Sequence, residues 1–158
     1  MNVWCCVFGN KLIGPFVFEN NLNGNTYEAF LRNELPGLLE DIPLMIRSQM
    51  YFQHDGAQHV RNFLNESFPN CWLGRGGAVA WPPRSPDLTP LDYYLWGHMK
   101  TLEYETKVDS RAALRDRIFE AAEHISNHPD IIASATQSLL MHAENCIAAG
   151  GGHFEQLL

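Results

Sequence analysis

Long hydrophobic runs are missing from this 158-residue sequence, so nothing in it reads as a bilayer-spanning helix. Its opening, MNVWCCVFGNKLIGPF, lacks the basic flank and small-residue cleavage site of a signal peptide, and the chain reads as intracellular and soluble. Metal-knuckle cysteine patterns are missing too. No two of Cys5, Cys6, Cys71 and Cys146 stand at the two-residue separation of zinc and redox motifs, so the four are expected to be reduced and mostly buried. His54 and His59 have neither the i, i+4 spacing nor the glutamate of a metalloprotease helix. Basic charge is scarce: the net charge is −7, and residues 118–158 carry five acids and no lysine or arginine. That balance argues against indiscriminate nucleic-acid binding. Eight of the eleven basic residues lie between 55 and 117, where a polyanion would have to dock; for most of them the alternative of an ordinary solvated helix face stands.

The sequence does contain enough apolar residues for one domain with a sizeable core, 46% hydrophobic against 18% charged. NVWCCVF (2–8) and LIGPFVF (12–18) are β-prone runs joined by Gly9-Asn10-Lys11, a hairpin signal, and Pro15 marks an edge strand or a bulge. Asn25 with Glu28 forms a capping-box pattern ahead of a helix over about 26–35, which Pro36-Gly37 is expected to kink or interrupt. MYFQHD (50–55) reads as a short buried strand ending at Asp55-Gly56, followed by a helix that stops at Pro69. Residues 70–90 read as loop, with AVAW (78–81) as a possible further strand. Helices are expected near 90–103, 110–126 and 130–148, the last stopped by Gly150-Gly151-Gly152. Strands alternating with helices, without repeats or linkers, indicate a single α/β domain over 1–158.

Two carboxylates stand out. Asp55 ends a strand just before a helix, where α/β sheets gather ligands, although an Asp-Gly pair also makes a tight turn. Asp92 follows Thr89-Pro90-Leu91, so it either reaches back as a capping acid or is held by the rigid helix start to bind a cation. Prolines at 82, 83, 86 and 90 limit the conformations of the segment and so lower the cost of ordering it. Asp87 reads as a turn-former within Ser85-Pro86-Asp87.

QHDGAQHV (53–60), GRGGAVAWPPRSPDLTPLDYYLWG (74–97) and CIAAGGGHFEQLL (146–158) together resemble the mariner-type DDE DNA transposases, particularly their insect-like members. The resemblance runs the length of the chain, and SPDLTPLDYYLWG is its most specific part. It implies a ribonuclease-H-like α/β domain, a mixed sheet flanked by helices, whose three acids hold two divalent ions, Mg²⁺ or Mn²⁺, for cutting and joining DNA. The second family aspartate falls on Asp55 and the third on Asp92, with 36 residues between them, a couple more than the commonest spacing. DGAQHV departs from the family's D-[NG]-A-P-x-H by lacking the proline and bringing His59 one residue closer.

In the family the first aspartate lies on a strand upstream of the hairpin that MNVWCCVF opens, and the end-recognising helix-turn-helix modules lie further upstream. The expectation is therefore a truncated domain lacking its first strand, with no helix-turn-helix. None of Glu19, Glu28, Glu34, Glu40 and Asp41 fits the missing position. Two acids would hold at most one weakly bound cation, so the chain alone is expected to be catalytically incompetent, since transition-state stabilisation depends on both ions. Two alternatives stand beside it: the C-terminal piece of an active transposase, and a remnant that only binds nucleic acid or protein. An α/β domain of unrelated role is the third. The resemblance further implies DNA as partner, a possible homodimer, a nuclear location, and no membrane or small-molecule cofactor. Arg75 and Arg84 flank the glycine- and proline-rich loop and are the candidate phosphate contacts. Trp81 could stack on a base but reads rather as core packing, and the run Tyr93-Tyr94-Leu95-Trp96 reads as packing on the helix behind Asp92.

Overall fold

The computed structural model describes residues 1–54, 58–79, 81 and 85–150. The chain divides into two compact units, one formed by Met1–Glu19 with the chain from Ser85 onward, the other by Asn20–Arg84.

The first unit opens on the hairpin that the sequence signals, β1 (Asn2–Phe8) paired antiparallel with β2 (Lys11–Phe18), with Gly9 at φ +60° in the turn. Pro15 does sit in a bulge. The register passes from Trp4↔Phe16 to Cys6↔Ile13, so Cys5 alone faces Gly14 and Pro15. Gly14 is required there, because at φ +97° a side chain would also crowd the Trp4 carbonyl at 2.9 Å.

Three longer helices complete this unit: α5 (Trp96–Glu103), α6 (Arg111–Ser126) and α7 (Pro129–Ala148). Ser110 caps α6, its hydroxyl accepting from the Ala113 amide at 3.0 Å, and Pro129 opens α7 where its missing N–H costs nothing. The core beneath them joins Cys5 of β1 to Leu95, Met99, Ile118, Ala122, Ile125 and Ile132. Thr136 ties α7 to the hairpin by donating to the Gly9 carbonyl at 2.8 Å. α7 ends at Ala148, and Gly150, at φ +66°, donates back to the Ile147 carbonyl.

In the second unit the first helix, α1 (Gly24–Asn33), is capped by Asn23, two residues before the expected Asn25. Asn23 and Thr26 form the reciprocal box, each side-chain oxygen accepting from the other's amide, while Glu28 instead pairs with Arg32 one turn on at 2.9 Å. The break falls at Glu34, and Pro36-Gly37 lie within a short second helix, α2 (Leu35–Leu38), where proline is tolerated in the first turn. A further turn, α3 (Leu44–Arg47), has no counterpart in the sequence reading. The expected strand is shorter, β3 (Phe52–His54). A 3₁₀ turn (Gln58–Val60) leads into α4 (Arg61–Ser67), and then comes an unanticipated strand, β4 (Trp72–Gly74), parallel to β3. Of the suggested AVAW strand, Val79 makes one isolated bridge to Leu73, and Ala80 lies outside the described residues. Phe30, Leu31, Leu35, Phe63, Leu64 and Trp72 are among this unit's buried side chains.

The cysteines are free, but only Cys5 is fully buried; Cys6, Cys71 and Cys146 are half-buried, which corrects the expectation of mostly buried thiols. Burial holds the Cys5 thiol up at about 12, with Cys6 and Glu103 adding to it, and burial likewise raises Cys6 to about 12. Both stay protonated and poorly nucleophilic at neutral pH. Among the described residues no helix is long and apolar enough to cross a membrane.

Leu95 is fully buried at the centre of the first unit's core, so Leu95→Ala should lower the unfolding free energy by about 2–5 kcal/mol in a urea titration. A second expectation concerns pH. His98 on α5 shares a 3.3 Å hydrogen bond with the Tyr94 hydroxyl, and its ring stands 6.2 Å from that of His124, which in turn lies 4.6 Å from His128. Burial, and then the charge of His124 and His128, depress the His98 pKa below its ordinary value. The unfolded chain therefore binds the proton more readily, so this contribution to stability is complete above the ordinary histidine pKa and is lost as pH falls through the lower folded value. The melting temperature should fall on acidification below about pH 6.5, and less steeply in His98→Gln.

Candidate active site

The proline-rich segment is folded turn upon turn. Ser85 accepts from the Leu88 amide at 3.1 Å and Pro86 from the Thr89 amide at 3.0 Å, making Pro86–Leu88 a 3₁₀ turn in which Asp87 has the turn role expected of it. Thr89 is extended (φ −121°, ψ 108°), and Pro90 is already helical (φ −54°, ψ −28°). The Thr89 carbonyl accepts from the Asp92 and Tyr93 amides at 2.8 and 3.1 Å, as the Thr-Pro-x-Asp spacing anticipates. Leu91–Leu95 then form a π-helical turn, closed by the Trp96 amide donating to the Leu91 carbonyl. Such turns widen a helix by one residue and recur at functional sites. Asp92 lies in this turn with its side chain exposed, whereas Leu95 is fully buried.

Two side chains fasten the segment to α7. The Tyr93 hydroxyl donates to the Ala135 carbonyl at 2.6 Å. Burial raises the Tyr93 pKa, partly opposed by its bond with Ser138, so the phenol keeps its donor proton. His142, the one buried polar side chain among the described residues, stands 2.6 Å from the Asp87 carbonyl through Nδ1. A carbonyl only accepts, so Nδ1 carries the proton. The Tyr93 and His142 rings meet with centroids 4.6 Å apart. Nothing local in the sequence marks His142 for this task, since its partner lies 55 residues away. Tyr94, Leu95 and Trp96 pack on the core as expected.

In the second unit β3 and β4 run parallel with His54 opposite Gly74, so both strands end at the same edge. A side chain at Gly74 would collide with the His54 carbonyl oxygen; only glycine allows this register. Arg75 follows in an exposed turn closed by the Gly77 amide donating to the Gly74 carbonyl at 3.1 Å. His59 lies against Gly24 at the start of α1, where a side chain on that glycine would meet the imidazole at 2.8 Å, and so has a packing role. Trp81 is half-buried.

Of the predicted site residues, Asp92 and Arg75 are thus placed and exposed, and Asp55 and Arg84 lie outside the described residues. Among the described residues no three His, Cys, Asp or Glu side chains gather around a common point. Asp92 by itself fits as one hard-oxygen ligand of the kind Mg²⁺ or Mn²⁺ takes.

The α/β arrangement is that of the ribonuclease-H-like fold, as the likeness to solved structures shows. The Mos1 transposase catalytic domain solved with raltegravir and Mg matches 97% of this chain and 75% of its own, with a TM-score of 0.74 at 23% identity. The same domain with raltegravir and Mn matches 98% and 82%, with a TM-score of 0.70 at 21% identity. The crystal structure of the Mos1 mariner transposase catalytic domain matches 98% and 82%, with a TM-score of 0.68 at 18% identity. In sequence, the chain is 28% identical over 129 residues to the Transposable element Tc3 transposase of Caenorhabditis elegans, covering 80% of this chain and 37% of that protein. No family model matches. Motif, relative and fold point the same way: the chain is similar in sequence to a Tc-type transposase and shares the fold of the Mos1 mariner transposase catalytic domain. It spans little more than a third of the length of the Tc3 relative.

Because Gly74 sets the β3–β4 register, Gly74→Ala should destabilise the chain by about 3 kcal/mol, the upper end of the usual single-substitution range, as read from urea unfolding.

Proposed function

We propose that this chain is a DNA-processing domain of the cut-and-paste transposase type, in which Asp55 and Asp92 are two carboxylates of a three-acid set that holds Mg²⁺ or Mn²⁺. The observation that carries the reading is the anchored Ser85–Trp96 segment, which presents the Asp92 carboxylate to solvent from a turn fastened at Asp87 and Tyr93. The sequence match to a transposase and the fold likeness to Mos1 support it. A pair of such ions, when bound, activates the attacking oxygen and stabilises the leaving one in phosphodiester chemistry. The chain's own contribution is to hold Asp92 in one place, to supply Asp55 from the end of β3, and to offer Arg75 and Arg84 to backbone phosphates. A DNA substrate makes the nucleus the site of action.

The acid set within these 158 residues is incomplete. Among the described residues, none of the acids before Asp55 lies on a strand: Glu28 is in α1, Glu34 ends it, and Glu19, Glu40 and Asp41 occupy bends and turns. The chain by itself therefore binds a cation weakly through Asp55 and Asp92 and does not cleave DNA efficiently.

Calorimetric titration with Mn²⁺ should show weak binding that is lost in Asp92→Ala and in Asp55→Ala, and a nicking assay on supercoiled DNA with the unaltered chain should show no product. Binding untouched by either substitution would remove the metal assignment. Cleavage that disappears in both variants would keep the assignment and overturn the incompetence.

A further inference from the structure

Arg61 is the first residue of α4, and its guanidinium lies against the Gly74-Arg75-Gly76-Gly77 turn. A side chain built on Gly76 would stand 2.6 Å from Arg61 Nη2, 2.7 Å from Cζ and 3.0 Å from Nε, so the guanidinium occupies the space that a side chain would take. Gly76 is at φ +80°, a conformation that favours glycine for a second, independent reason. Nη2 donates a long 3.5 Å hydrogen bond to the Arg75 carbonyl, and Nε is buried without a partner. The other side of the turn is equally tight, since a side chain on Gly77 would stand 2.9 Å from the Trp72 carbonyl and 3.0 Å from its indole. Trp72 is itself fixed, its indole N–H donating to Asn65 Oδ1 at 2.9 Å.

An arginine held with one N–H buried and unpaired is costly, and a simpler side chain could fill the same space. Its position instead places a second positive charge against the backbone of the exposed Arg75, at the edge where β3 and β4 both end. Carboxyl ends of parallel strands are where α/β sheets receive phosphates. A guanidinium fork matches phosphate oxygens.

From this geometry we infer that Arg61 and the Gly74–Gly77 turn form a phosphate grip for a nucleic-acid strand, in which Arg61 is the positioning residue that presents Arg75 to one backbone phosphate. The inference rests on the DNA-processing reading above and adds to it the residue that acts through Arg75. Because the two arginines work as one unit, losing either removes the same phosphate contact. Lysine at 61 keeps the charge but not the planar contact with Gly76, so charge alone does not preserve the grip.

The test is fluorescence anisotropy of the full chain with a labelled DNA duplex over a salt series, with thermal melts confirming that each variant is folded. The unaltered chain should bind with log K falling against log salt. Arg75→Ala and Arg61→Ala should each lower affinity and reduce the salt slope by about 1. The double variant should lose no more than either single one, and Arg61→Lys should behave like Arg61→Ala despite unchanged net charge. If Arg61→Ala fails to fold, Gly76→Ala serves instead; it keeps both arginines in the chain but forces the guanidinium and the turn apart, and should show the same loss of slope. Additive losses, an unchanged slope, or wild-type binding by Arg61→Lys would overturn the inference and leave the domain reading standing. No salt-dependent DNA binding by the unaltered chain would overturn both.

Discussion

Two hydrogen bonds to or from α7 hold the candidate site together: Tyr93 to the Ala135 carbonyl and His142 to the Asp87 carbonyl. They add directional bonds to a segment that is otherwise held by the packing of Leu88 and Leu95. Proline narrows φ and so reduces the conformations to be lost, yet it supplies no amide with which to dock. The docking falls to carbonyls and to a tyrosine, and both partners sit on a helix that is itself tied to the hairpin through Thr136 and Gly9. Because His142 is buried, its bond to Asp87 is shielded from water, and losing it would cost more than losing an exposed one.

The second unit reaches a similar end by different means. Its two short parallel strands offer few ladder bonds, and their register is set by what cannot be there: a side chain at Gly74. The turn that follows is packed from both sides, by an arginine beneath Gly76 and by a tryptophan beneath Gly77. Glycine in this stretch reflects crowding more than looseness, although composition alone would suggest a flexible loop.

What could be read from residue order follows from the range of the forces involved. The hairpin, the bulge at Pro15, the helices from 96 onward and the Thr89-Pro90 helix start were all legible, because caps, prolines and apolar spacing act within a turn or two. The Asn25 cap was misplaced by two residues because Asn23 and Thr26 offer the same chemistry just upstream. β4 escaped because three residues are too few to show a period, and its partner lies twenty residues earlier in the chain. α3 escaped for the same shortness. His142 and Arg61 were invisible as site residues, since each acquires its role only from a distant carbonyl or glycine. The transposase resemblance came chiefly from SPDLTPLDYYLWG, a motif whose order is tied to the turn it builds.

The widened turn at Leu91–Leu95 has one more effect. An extra residue in a helical turn offsets everything downstream by about 100° around the axis. The face that carries Leu95 and Met99 inward is therefore out of phase with the one that carries Asp92 outward. Deletion of a single residue here would keep the helix yet rotate the carboxylate relative to the buried face, so the geometry depends on the length of this stretch as well as on its letters.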